Sequence, residues 1–183
     1  KQGSRLFNYA TARRQCGSAI KPIAAYAPAL DNGTITPASV LDDAPVRTLN
    51  GKAWPVNSHP YYDGLVTVDY AIAQSLNPCA VRVVEALGVQ ASYDYMTDKL
   101  GFTTLVSAQD NPNRNDINSA SMGLGGLTRG VSTVEMAAAY ATFVNRGVYT
   151  EPRTYTKVTD QDGKIVLDNE ADSWQAMKET TAY

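Results

Sequence analysis

The stretch SAIKPIAAYAPAL, residues 18–30, constrains this chain more than any other. Apolar side chains recur at Ile20, Ile23, Ala24, Ala27 and Leu30, the spacing of one helical face, and Asp31-Asn32-Gly33 stops the pattern. Pro22 falls in the first turn, where no helical hydrogen bond is lost, and Gly17 lets the backbone turn tightly into the helix. The spacing therefore predicts a helix over 18–30. On such a helix Ser18 and Lys21 stand one above the other. Ser18 would lie among first-turn N–H groups that lack acceptors and favour a developing negative charge.

A serine hydroxyl is a poor nucleophile until a base takes its proton. Lysine can be that base when burial or nearby cations bring its pKa down from about 10.4 towards neutrality. The pair thus suits acyl transfer through a serine ester. With eleven serines and seven lysines, however, S-x-x-K arises by chance about 0.4 times in this chain. A capping serine beside a solvated lysine is the plainer reading of the pair alone. A second pair, Ser75 and Asn77 in AQSLNPCAV, sits at a break between two helical patterns. There a hydroxyl can relay a proton, and an amide can both donate to and accept from an amide substrate. Its plainer reading is a helix stop and N-cap.

The rest of the chain reads as mostly helical. A short helix is expected at 36–43, a long ordered loop at 44–66, and helices at 67–75, 78–87 and 92–101. Thr67 caps the first of these and Pro78 opens the second. A polar loop at 111–118 precedes a glycine-rich stretch at 122–132. A strong helix follows over 132–147, with Ser132 and Glu135 as a capping box. Residues 153–169 alternate and turn at DQDG, a β-hairpin, and SWQAMKETTAY begins another helix.

Composition narrows the functions. The chain has 183 residues, 44% hydrophobic and 19% charged, with a net charge of −2 and no basic stripe to suit nucleic acid. The longest apolar run, Met136 to Val144, is half of what a bilayer span needs. Two cysteines make no disulfide scaffold, and no His/Cys spacing suits a metal; no cofactor is implied. The single histidine, His59, lies among turn formers and supports no catalytic triad. The chain opens without methionine and stops as a helical pattern begins, so it reads as a piece of a longer protein, with any membrane anchor outside residues 1–183.

RRQCGSAIKPI resembles the active-site segment of bacterial penicillin-binding proteins, which usually reads R-Q-P-G-S-x-x-K-P. SLNPCAVRVVEALG resembles their second motif, WPVNSHPYYDGLVTVDYAIAQS the segment leading into it, and GLGGLTRGVSTVEMAAAYATFVNRGVYTEPRTYTKVTDQDGKIV the stretch after it in bifunctional, class A members. The similarity runs from about Leu6 to Tyr183. It implies an α+β fold of the β-lactamase/transpeptidase kind, here mainly the helical half with one hairpin. It implies Ser18 as nucleophile, Lys21 as its base, Ser75 and Asn77 as the second-motif pair, and the Ser18 N–H as half of an oxyanion hole. The implied reaction attacks the D-Ala–D-Ala bond of a peptidoglycan stem peptide, releases D-alanine and cross-links the acyl group to a neighbouring stem. The implied partners are stem peptides, β-lactam antibiotics and a glycosyltransferase domain of the same protein. The implied location is the outer face of the bacterial cell membrane.

Two departures stand out. No K-T-G, the third family motif, occurs in these residues, so most of the central sheet is expected to be missing and the piece alone inactive. A degenerate, non-catalytic domain and a serine β-lactamase are the rival readings, although no E-x-x-x-N pattern suggests a deacylating glutamate. Cys16 takes the usual proline position and Cys79 follows Asn77 by two. Because the family brings the two motifs together, the resemblance makes a Cys16–Cys79 disulfide possible, against the rival of two buried thiols.

Overall fold

A computed structural model describes residues 7–183. At its centre is the helix anticipated from the 18–30 spacing, here α1 (17–31), though it is not a uniform α-helix. A 3₁₀ turn, Gly17–Ile20, opens into a wide π-helical stretch, Lys21–Tyr26, and closes as α-helix, Ala27–Asp31. Such widening is uncommon and is often found where a helix carries function. Pro28 has no N–H to give to the Ala24 carbonyl one α-turn earlier. The buried Ser92 hydroxyl, on α4 (Val89–Asp94), donates to that oxygen at 2.6 Å.

Ile20, Ile23, Ala24 and Ala27 are at most 2% exposed, and so is the side chain of Lys21. Helix α3 (Asn77–Leu87) packs across α1, and α5 (Ser119–Leu124) packs on both. Ala80, Val83 and Val84 of α3 join Met96, Leu100 and Met122 in one core. At this density, Ile23→Ala would cost about 2–5 kcal/mol.

Among the described residues the strands form five separate antiparallel pairs. β1 (Arg13–Arg14) pairs with β6 (Val131–Ser132), β2 (Val40–Asp43) with β5 (Gly64–Thr67), and β3 (Arg47–Leu49) with β4 (Lys52–Trp54). β7 (Val148–Thr150) pairs with β10 (Ser173–Gln175), and β8 (Lys157–Thr159) with β9 (Ile165–Asp168) in the hairpin expected at DQDG. The remaining helices are α2 (Val68–Ala73), α6 (Thr133–Val144) and α7 (Glu179–Ala182); α4 runs on as a π-helical turn, Tyr95–Lys99. The result is α+β with small sheets, as the resemblance implied. Ser132 and Glu135 form the capping box on α6 in both directions.

Three local expectations are corrected. Residues 36–43 do not form a helix, because Val40 and Leu41 instead ladder with Thr67 and Val66. The region 44–66 is not one loop: Asn50 (φ 50°) and Gly51 (φ 74°) make the left-handed turn of a hairpin, a signal the N-G dipeptide already carries. SWQAMKETTAY is strand first, Trp174 opposite Tyr149, and helical only from Glu179.

On the open side of α1 lies an apolar groove of about 480 Å³, lined by Pro22, Tyr26, Leu30, Ile35, Phe143 and Tyr183 among others. Among the described residues no helix is long and apolar enough to cross a membrane.

Candidate active site

The site forms where α1 passes the break between α2 and α3. Helix α2 ends in a Schellman motif: Leu76 N–H donates to Ala71 O and Ser75 N–H to Ile72 O, both at 3.0 Å. The left-handed position of that motif, usually glycine, is Ser75, with φ 55°. Leu76 packs with Ala71 and Cys79 in a small cluster of their own. The reversal leaves Ser75 exposed and aims both its oxygens at α1.

Lys21 meets them from the buried side. Its Nζ donates to Ser75 O (2.6 Å), Asn77 Oδ1 (2.6 Å) and Ser75 Oγ (3.1 Å), which occupies all three N–H bonds of an ammonium. Burial pulls the Lys21 pKa from 10.5 down to about 8, and Asp43 acts in the opposite direction. Asn77 presents its oxygen to the lysine because its Nδ2 is taken by Val56 O at 2.6 Å. Two motifs separated by more than fifty residues of chain thus share one cation.

Ser18 stands apart from this knot. It lies one turn before Lys21 and is exposed, and among the described residues its hydroxyl has no hydrogen-bond partner. The structure therefore brings Lys21, Ser75 and Asn77 into contact and leaves Ser18 unbonded at the mouth.

The serine turn is gripped by residues that sequence reasoning passed over. Gln15 clamps the backbone of Leu127, donating to its O (2.6 Å) and accepting from its N–H (2.7 Å). Tyr140 on α6 donates to Ala19 O at 2.9 Å. Gly17 takes φ 54°, and a Cβ on Gly125 would come within 2.2 Å of Gly17 O. Only glycine permits that approach. The glycine-rich stretch at 122–132 was the available signal; what it lies against was not legible.

The disulfide drawn from the resemblance is not formed: Cys16 and Cys79 are free. Cys16 packs at the edge of the main core, Cys79 in the Ala71–Leu76 cluster. Burial pushes the Cys16 thiol up to about 11 and that of Cys79 up to about 12, so both are protonated and inert at neutral pH. His59 stacks on Tyr61 with centroids 4.1 Å apart and takes no part in the site.

The model of the penicillin binding protein transpeptidase domain matches residues 1–182. Penicillin-binding protein 1A of Clostridium tetani is 36% identical over 195 residues, covering 100% of this chain and 24% of that protein. Its counterpart in Clostridium acetobutylicum is 34% identical over 178 residues, covering 93% and 21%. The chain therefore spans no more than a quarter of the length of these curated relatives. Among solved structures, the PonA1 protein from Mycobacterium tuberculosis in complex with penicillin V aligns with a TM-score of 0.80 at 24% identity, over 98% of this chain and 47% of that one. Penicillin-binding protein 1A from Haemophilus influenzae aligns at 0.70 and 31%, over 91% and 24%. Similarity that follows the chain nearly from end to end, with both short motifs inside it, settles the family: the chain belongs to the penicillin-binding protein transpeptidase family, alongside class A members.

Proposed function

We propose that this chain carries the acylating machinery of a D,D-transpeptidase of peptidoglycan synthesis. Ser18 Oγ attacks the carbonyl of the penultimate D-alanine of a stem peptide while the neutral Lys21 amine takes its proton. The Ser18 N–H, at the first turn of α1, faces the developing oxyanion. As the C–N bond breaks, the proton passes from Lys21 through the Ser75 hydroxyl to the departing D-alanine amine. The serine ester is then attacked by the amine of a neighbouring stem, which restores Ser18 and closes the cross-link. Asn77 holds Lys21 and offers its amide to the substrate backbone.

The observation that carries this reading is the convergence of both motifs on one buried lysine with a pKa near 8. A solvated surface lysine has no use for such surroundings. β-Lactams, which mimic the stem terminus, would trap Ser18 as a slowly hydrolysed ester. The working protein is proposed to supply further sheet strands over the groove beside α1, a glycosyltransferase domain and an anchor at the outer face of the cell membrane.

The test is covalent labelling. Full-length protein incubated with a fluorescent penicillin should carry one adduct, mapped by mass spectrometry to the Ser18 peptide. Ser18→Ala should abolish it while the thermal transition stays in place. Adduct that persists in Ser18→Ala would end the assignment, and an unlabelled wild-type protein would favour a domain that binds without reacting.

A further inference from the structure

Behind Asn77, away from the mouth of the site, lies a buried polar relay that the reaction as described does not use. Asn77 is the first residue of α3, so its N–H has no acceptor within the helix; it donates to Asn57 Oδ1 at 2.8 Å. Asn57 Nδ2 in turn donates to both carboxylate oxygens of Asp43, at 3.1 and 2.9 Å, and more weakly to Tyr61 O at 3.3 Å. Asp43, at the end of β2, is 0% exposed and takes a further bond from Asp63 N–H at 2.8 Å. The order of donors and acceptors admits one arrangement only. The Asn57 oxygen must face the Asn77 N–H and its nitrogen must face a carboxylate, so its amide cannot be turned over.

A fully buried carboxylate is an expensive way to close a strand. Removing it from water costs several kcal/mol, and β2 already has its ladder to β5. An apolar residue would serve packing better. Asp43 is also tied to the helix that carries Asn77. Arg82 of α3 donates to Asp42 O (2.9 Å) and Ala44 O (3.3 Å), the carbonyls on either side of Asp43. Strand and helix therefore move together, with the relay between them.

Given the reading of Ser18 and Lys21 as the acylating pair, we propose that Asp43 and Asn57 are positioning residues of this site. Asp43 fixes the Asn57 amide, Asn57 fixes the start of α3, and the Asn77 oxygen is thereby set against Lys21. Neither residue touches the reacting atoms. The titratable groups near Lys21 are Cys79 on α3, whose thiol stays protonated and uncharged where Lys21 titrates, and Asp43 on β2, which favours the charged form; Asp42 and Arg82 pair with each other at 3.7 Å. Removing the Asp43 charge should lower the Lys21 pKa further, whereas a structural loosening that lets water reach the amine would raise it.

The experiment measures the initial rate of acylation by fluorescent penicillin against pH on the full-length protein. The variants are Asp43→Asn, Asn57→Ala and the reciprocal Asp43→Asn/Asn57→Asp. Asp43→Asn and Asn57→Ala should lose about tenfold to a hundredfold in rate, the scale expected when a reacting constellation shifts by about an ångström. The rising limb of Asp43→Asn should move to lower pH. In the reciprocal variant the amide at 43 donates to the carboxylate at 57, which still accepts from Asn77 N–H, so the rate should return to within about tenfold of wild type, with the limb at or above its original pH. Hydrogen exchange supplies a readout independent of activity: the Asn77 amide should be protected in the wild type and exposed in Asn57→Ala. Wild-type rates in both single variants overturn the proposal, as do a reciprocal variant no better than Asp43→Asn and an Asn77 amide that exchanges freely in the wild type. If Asp43→Asn fails to fold, Asn57→Ala and the exchange data decide. A wild-type protein that takes no label overturns the acyl-enzyme reading and this one with it; a labelled wild type with unaffected variants overturns this one alone.

Discussion

Replacing Lys21 by arginine separates positive charge from basicity at the centre of the proposed mechanism. With a pKa of about 8, the Lys21 amine is neutral in about 9% of molecules at pH 7, against about 0.03% at its ordinary value of 10.5. Burial therefore multiplies the competent base roughly 300-fold, equivalent to about 3 kcal/mol placed on the ammonium. Acylation by a penicillin should accordingly rise about tenfold per pH unit below about pH 8 and level off above it. Arginine keeps the charge and donors but stays protonated throughout, so Lys21→Arg should lose at least about 100-fold at pH 7 and show no limb at pH 8. The same pKa enters stability. Between about pH 8 and 10.5 the unfolded chain, with Lys21 protonated, binds more protons than the folded one, so stability rises with pH in that window. Relative to Lys21→Met, the wild type should gain about 2 kcal/mol between about pH 7 and 9.5. The assay is quenched-flow labelling across pH, with urea unfolding of the two proteins alongside. A wild-type profile flat through pH 8, or Lys21→Arg within about tenfold of wild type, would refute the reasoning.

Ser75→Gly should relieve the left-handed strain at φ 55° and raise stability by about 1 kcal/mol, moving Tm up by about 2–4 °C, while losing at least about tenfold in acylation with the hydroxyl. A lower Tm in that variant would contradict the strain argument. Glu135 accepts six bonds through two oxygens, from the N–H and hydroxyl groups of Ser132, Thr103 and Thr104. Glu135→Gln turns an NH₂ towards donors and should cost about 3 kcal/mol by calorimetry; a change below about 1 kcal/mol would mean that the network adapts. Thiol counting under denaturing, non-reducing conditions should find two free thiols per chain, and a count of none in a monomer would restore the Cys16–Cys79 bridge.

What was legible in the sequence was local. The capping box of Ser132 and Glu135, the helix with Pro78 in its first turn and the DQDG hairpin each depend on residues a few places apart, where propensity and side-chain reach suffice. Where a segment's conformation depends on a distant partner, the local pattern misled: residues 36–43 have helical punctuation but ladder with β5, and Ser173 to Gln175 pair with β7. The site divides the same way. Ser18, Lys21, Ser75 and Asn77 were singled out through the family resemblance of their segments, since type and spacing alone fit chance pairs, and nothing near Lys21 in the chain says that it is buried or that it points at Ser75. That follows from α3 crossing α1 and from a Schellman turn closed by Leu76 and Ala71, contacts that exist only once the core has formed. Burial is a property of the whole assembly, so the lowered pKa of Lys21, and the Asp43–Asn57 relay behind Asn77, were decided by tertiary packing alone.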